Sequence, residues 1–194
     1  MVNKEYVQND KIKDILKYIK GLKHSEMLRM MFFCSLNGMR CINFRCLQLK
    51  DVIDSNGKAK DVIDLPALKN KGKMGAQYYV NHQFKAEIET YYRYMKEKYG
   101  EKLNEESFLF ASQKTKRPFN RVSICRIFHN IYKTFGIHGA SHLGRHLFIT
   151  NIANAGVSVF VTRLLANHKN LSTTQKYFNS TTPQLLTAVE NASI

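Results

Sequence analysis

The sequence predicts a mainly α domain that carries one small three-stranded antiparallel sheet. Three observations predict it. Apolar residues recur at three- and four-residue spacing along most of the chain, and the pattern turns extended only between about residues 47 and 81. An Asn-Gly pair lies inside that extended stretch. The chain has 194 residues, 44% of them apolar, which suits one well-buried core and not comfortably two. It is therefore read as a single domain over 1–194, with no internal repeat, low-complexity tract or interdomain linker.

In chain order, Asn9 and Asp10 can cap a helix whose apolar face is Ile12, Ile15, Leu16 and Ile19, and Gly21 stops it. Glu26 to Ser35 is apolar nearly all round, which predicts a buried central helix. Gly38, in Asn37-Gly38-Met39-Arg40, lets the chain turn sharply. LQLKDVID, the turn Ser55-Asn56-Gly57-Lys58 and DVIDLPAL then read as a hairpin, and Gln77 to Val80 as a third strand beyond a lysine-rich loop. Phe84, Ile88, Tyr91, Met95 and Tyr99 mark one face of a helix. Asn120 can cap another, with Ile124, Ile127, Phe128 and Ile131 inward. Further helices are expected over His142 to Ala155, closed by Gly156, then Ser158 to Ala166 and Ser172 to Phe178. An apolar tail, about 181–194, follows with Leu185, Leu186 and Val189.

Charge narrows the partners. Thirty Lys and Arg oppose fifteen Asp and Glu, a formal net charge of +15, and such an excess points to a polyanion. Nucleic acid is the first candidate and an anionic membrane surface the second, but no apolar run approaches the roughly 18 residues a span requires. Met1 to Lys20 is polar and charged, unlike a secretory signal, so a cytoplasmic location is expected. Cys34, Cys41, Cys46 and Cys125 follow no metal-ligand spacing and read as core residues; no metal or cofactor is expected.

Four features bear on chemistry. Arg40 directly follows an apolar segment and a glycine, a placement that can bring a charge out on the floor of a cleft. His142 and Arg145, three apart at a helix start, share a face, with Ser141 placed to cap. Helix N-termini favour anions. His146 points elsewhere and reads as structural. His168 follows an apolar helix, twenty-three residues after Arg145, and Tyr177 follows nine later in a polar run. Each alone has an ordinary structural explanation; the ordered series does not.

That series, in NGMRCINFRCLQLKDV, KNKGKMGAQYYVN, SHLGRHLFITNIANAG and LLANHKNLSTTQKYF, resembles the tyrosine recombinase, or phage integrase, family over nearly the whole chain. The resemblance implies the DNA breaking-rejoining fold of the family's catalytic domain. It implies that Arg40 and Arg145 clamp the scissile phosphate, His142 and His168 flank it, and Tyr177 is the nucleophile. Lys71 is assigned as the hairpin general acid, with Lys69 and Lys73 near enough to compete for the role.

Two departures stand out. Asn43 occupies a place where the family often has an acidic residue, and Ala166-Asn167-His168 replaces its usual Leu-Gly-His. The family's N-terminal helical domain is absent from these residues.

The residue types fit phosphodiester chemistry. Attack builds charge on the non-bridging oxygens, which a guanidinium fork binds bidentately without losing its own charge. One such preorganised donor is worth about 3 kcal/mol. A phenol has a pKa of about 10 and must shed its proton in the transition state, with His142 as a candidate base. A hairpin lysine can protonate the departing 5′ oxygen. The 3′-phosphotyrosine then stores the bond energy, so neither ATP nor metal is required.

Lys69, Lys73, Lys114, Lys116, Arg117 and Arg121 are candidate contacts to the DNA backbone. Double-stranded DNA is the expected partner. A homo-oligomer on DNA, a tetramer, is expected; the tail can pack on its own domain or, as the resemblance implies, dock on a neighbouring protomer. Competing readings are a type IB topoisomerase, which shares nucleophile and clamp, and a non-catalytic DNA-binding regulator. An RNA-binding or membrane-surface protein would account for the charge and leave the ordered spacing unexplained.

Overall fold

The computed structural model describes residues 9–67, 75–112, 115, 117–139, 141–178 and 189–190. The chain divides into two compact units, Met1–Phe148 and Ile149–Ile194.

The first unit is built on three helices, α2 (Ser25–Leu36), α5 (His82–Tyr99) and α6 (Arg121–Thr134), with α1 (Asn9–Ile19) packed on α2. Helix α2 is buried from Met30 to Ser35, as its all-round apolar pattern requires. Phe32 stacks on Phe128 of α6 at 4.4 Å between ring centroids, and Tyr132 meets the same ring edge-on. Helix α5 starts where the Asn81 side chain accepts from the Phe84 amide, and buries Phe84, Ile88, Tyr91 and Met95. On its inward face Glu87 is also buried and takes a two-pronged bond from Arg29 of α2, 2.9 and 2.5 Å long. A buried carboxylate is tolerated there because both of its oxygens are paired.

The expected sheet is smaller than its sequence suggests. Among the described residues two strands pair antiparallel, β1 (Val62–Leu65) with β2 (Ala76–Tyr79), in register Val62 to Tyr79 and Leu65 to Ala76. Ile63, Leu65, Ala76 and Tyr78 face inward. The first predicted strand is a correction: Leu49–Val52 forms a short helix, α4. The cause is local. Gln48 and Asp51 make a reciprocal capping box, the Asp51 carboxylate accepting from the Gln48 amide at 2.8 Å, and this closes the segment into a turn. The Asn-Gly turn does reverse the chain. Gly57 has φ +76°, Asp54 accepts from the Asn56 and Lys58 amides, and one bridge joins Ile53 to Ala59.

Helix α3 (Cys41–Phe44) packs on α6, and α6 is capped by Asn120, whose side chain accepts from the Ser123 amide at 2.7 Å. Helix α7 (Leu143–Asn154) begins in the first unit and is closed beyond its end by Gly156 at φ +77°. In the second unit, α8 (Val159–Leu165) is capped by Ser158 and packs against α9 (Leu171–Gln175). Of the tail, Val189 and Glu190 are described, in a helical turn with Val189 exposed. No helix among the described residues is long and apolar enough to cross a membrane.

Candidate active site

Three of the predicted residues converge in the first unit. The turn after α2 is set by Gly38, at φ +82°, where any Cβ would lie 2.6 Å from the Phe148 ring. Only glycine satisfies both conditions. The turn is anchored on either side: Asn37 donates to the Phe33 carbonyl at 2.8 Å and accepts from Asn81 at 3.0 Å. Arg40 follows as the extended residue that opens α3, its carbonyl accepting from Asn43 and Phe44, and its side chain is half-buried.

Arg145 reaches the same turn from α7. Its guanidinium is buried, with 5% of the residue exposed, and Nη1 donates to the Gly38 carbonyl. What permits that approach is Gly144. A Cβ there would stand 2.6 Å from Ser35 Oγ and 3.1 Å from the Ser35 carbonyl carbon, so α7 can lie on α2 only because this residue has no side chain. The contact is fastened by Ser35 Oγ donating to the Ser141 carbonyl at 2.9 Å.

His142 is exposed, and its carbonyl accepts from the His146 amide, so His142 itself takes the capping position of α7. The expected cap, Ser141, is buried instead, with its hydroxyl 3.4 Å from Cys125 Sγ. The proton affinity of His142 is pulled below the ordinary histidine value, first by partial desolvation and then by Arg121, Arg145 and Arg40. Arg121, Arg145 and Arg40 thus all act to disfavour the protonated form of His142. Arg121, expected as a backbone contact, is among these cations, which its sequence position does not reveal.

The second unit holds the other pair. His168 Nδ1 lies 2.9 Å from Thr174 Oγ1, and the Tyr177 amide donates to the Thr174 carbonyl at 3.0 Å. One fully buried threonine therefore holds both; the His168 and Tyr177 rings lie 6.5 Å apart and 28° from parallel. Thr174 carried no sequence signal beyond its place in a polar run. The Asn167 departure has a structural reason. It stands at φ +48°, just past the end of α8, with its amide bonded to Leu164 and that of His168 bonded to Arg163. Asparagine tolerates this left-handed position better than other residues with a side chain.

Asn43 is fully buried and donates to the Tyr78 hydroxyl at 2.7 Å, tying α3 to β2; its Oδ1 has no partner among the described residues. Lys69, Lys71 and Lys73, in the connection from β1 to β2, lie outside the described residues, as do Lys114 and Lys116. Arg117 is exposed next to the bridge between Ala111 and Pro118. Cys34 and Cys41 are buried, Cys46 and Cys125 half-buried, and all four are unbridged. Burial raises the Cys34 and Cys41 thiols. No group of three or more metal-ligating side chains gathers among the described residues.

The described residues form a mainly helical fold with one small antiparallel sheet. The chain belongs to the phage integrase family, whose profile matches residues 5–183. It is 26% identical over 196 residues to the tyrosine recombinase XerA of Pyrococcus furiosus, covering 98% of this chain and 58% of that protein. A 62-residue stretch is 39% identical to XerA of Pyrococcus horikoshii, covering 32% of this chain and 22% of that protein. The chain thus spans under two thirds of the length of these relatives. Its fold is similar to that of the Tn1549 transposon integrase in complex with circular intermediate DNA, at a TM-score of 0.74, 19% identity, and coverage of 100% of this chain and 68% of that one. It is also similar to a crystal structure of XerA recombinase, at TM-score 0.72, 18% identity, and coverage of 97% and 65%.

Proposed function

We propose that this chain catalyses site-specific DNA strand exchange, cleaving one strand through Tyr177 and rejoining it to another 5′ end. The observation that carries the reading is the meeting of Arg40, His142 and Arg145 at the Gly38 turn, with His168 and Tyr177 held on one threonine.

In this reading the two guanidiniums bind the non-bridging oxygens of the scissile phosphate and stabilise the charge that builds there. Tyr177 Oη attacks phosphorus, its proton passing to His142, whose protonated form is disfavoured by partial burial and then by the surrounding cations. The bond to the 5′ oxygen breaks, and that oxygen takes a proton from Lys71, or from Lys69 or Lys73 in its place. The 3′-phosphotyrosine conserves the ester's energy. Attack by a 5′ hydroxyl of a second duplex, its proton passing to the deprotonated lysine, breaks the bond to Tyr177, whose oxygen takes back the proton held by His142, without metal or ATP. Arg117 and the lysines Lys69, Lys73, Lys114 and Lys116 contribute backbone contacts. On DNA the protein assembles as a tetramer through its tail, and it acts in the cytoplasm.

The test is a duplex with a bridging phosphorothiolate, which traps the cleaved state. The wild-type protein is expected to form an SDS-resistant adduct without Mg²⁺, and Tyr177→Phe none. An adduct that survives in Tyr177→Phe would name a different nucleophile. Relaxation of a supercoiled circle that lacks paired sites would reassign the chain as a topoisomerase.

A further inference from the structure

Ser172, Thr173 and Thr174 are three hydroxyl side chains in a row on α9, and folding buries one of them. Ser172 and Thr173 are exposed, whereas Thr174 is fully buried. Its hydroxyl meets a ring whose own backbone is fixed separately. Asn167 turns the chain left-handed past α8, and the His168 amide donates to the Arg163 carbonyl at 3.1 Å. The imidazole then holds Nδ1 2.9 Å from Thr174 Oγ1.

Burial decides which of the two donates. Thr90 and Thr134 show the alternative open to a helical threonine, each giving its hydrogen to the carbonyl four residues back, on Ala86 and Asn130. Thr174 makes no such bond, and among the described residues the partner of its hydroxyl is Nδ1. A hydroxyl has one hydrogen to give, and a buried donor left unplaced is costly. The hydrogen therefore lies between Oγ1 and Nδ1, with Nδ1 accepting. A neutral ring that accepts at Nδ1 carries its own hydrogen on Nε2.

We infer that Thr174 is a positioning residue for the reaction, whose hydroxyl holds His168 in the tautomer that presents an Nε2–H donor to a non-bridging oxygen of the scissile phosphate. This rests on the strand-transfer reading and deepens it, by naming the nitrogen that donates and the group that selects it. Charge builds on that oxygen as Tyr177 attacks, so a donor oriented beforehand stabilises the transition state more than the ground state. The Thr174 carbonyl accepts from the Tyr177 amide at 3.0 Å, and the His168 and Tyr177 rings lie 6.5 Å apart. Donor and nucleophile are thus set from one residue, its side chain serving the first and its backbone the second.

The experiment compares Thr174→Val, which keeps the shape and removes the hydroxyl, with Thr174→Ser, which keeps the hydroxyl. Long-range proton–nitrogen NMR spectra of the free protein are recorded at about pH 8, where an ordinary imidazole is neutral. His168 of the wild type should show one tautomer, with hydrogen on Nε2 and Nδ1 as acceptor. Thr174→Val should lose that pattern as the Nδ1–H form becomes populated, and Thr174→Ser should restore it. Single-turnover cleavage at saturating DNA should fall roughly tenfold in Thr174→Val, short of the ~10²–10³-fold that loss of a whole donor costs. It should recover in Thr174→Ser, with DNA affinity unchanged in both. A wild-type ring protonated on Nδ1, or a tautomer unmoved by Thr174→Val, would overturn the inference. So would an equal loss of cleavage in the two variants, which would make the methyl group the part that matters. The spectra need no DNA, so a wild type that forms no covalent adduct would defeat the strand-transfer reading while the tautomer is still read.

Discussion

At the scale of the residue, the site is held as much by backbone as by side chains. Arg145, the proposed phosphate ligand, satisfies the Gly38 carbonyl from a buried position. Arg145→Ala is expected to abolish cleavage and to cost about 1–3 kcal/mol in denaturant unfolding, because a buried acceptor loses its charged donor. Affinity for DNA should stay within a few fold, since most binding contacts lie elsewhere. A wholesale loss of binding by folded protein would make Arg145 an affinity residue. Order in the chain singled out Arg40, His142, Arg145, His168 and Tyr177 as candidates, and the structure groups the first three in one unit and the last two on Thr174 in the other. What order cannot convey is support. Thr174, Ser35 and Gly144 hold these side chains in place, yet each is a small residue whose importance comes only from what folding brings beside it.

Among the elements, hydrophobic period decided most outcomes. Helices α1, α5 and α6 appear where their apolar faces predicted, because each buries one stripe against a common core, and α2, apolar nearly all round, lies within that core. The segment around α4 went the other way. Its apolar alternation suited a strand, but the Gln48–Asp51 box satisfies local amides at shorter range than any strand partner could. Likewise the start of α7 shifted from Ser141 to His142 because Ser141 found Cys125 and Ser35 across the core. Such long-range competitors are invisible in a window of neighbours. The α2–α7 contact is the most demanding of these pairings. Gly144→Ala is expected to cost about 1–3 kcal/mol by overpacking against Ser35 and to lower cleavage by displacing Arg145. Unfolding and adduct formation measure the two effects; an unchanged stability would show that the helices can part without cost.

For the whole molecule, charge sets behaviour. With a net charge of +15, DNA affinity is expected to fall steeply with salt, as each phosphate contact releases a counterion. A titration across ionic strength reads the slope directly, and a flat response would argue against DNA as partner. Membership of the family rests on the chain's full course, yet this chain breaks the family's lettering at Asn167, where the backbone still bends to the left as glycine would. What the fold demands at that point is the sign of a dihedral angle, which asparagine meets here. Distant kin are then better recognised by the handedness each position must accept than by the alphabet in which it happens to be spelled.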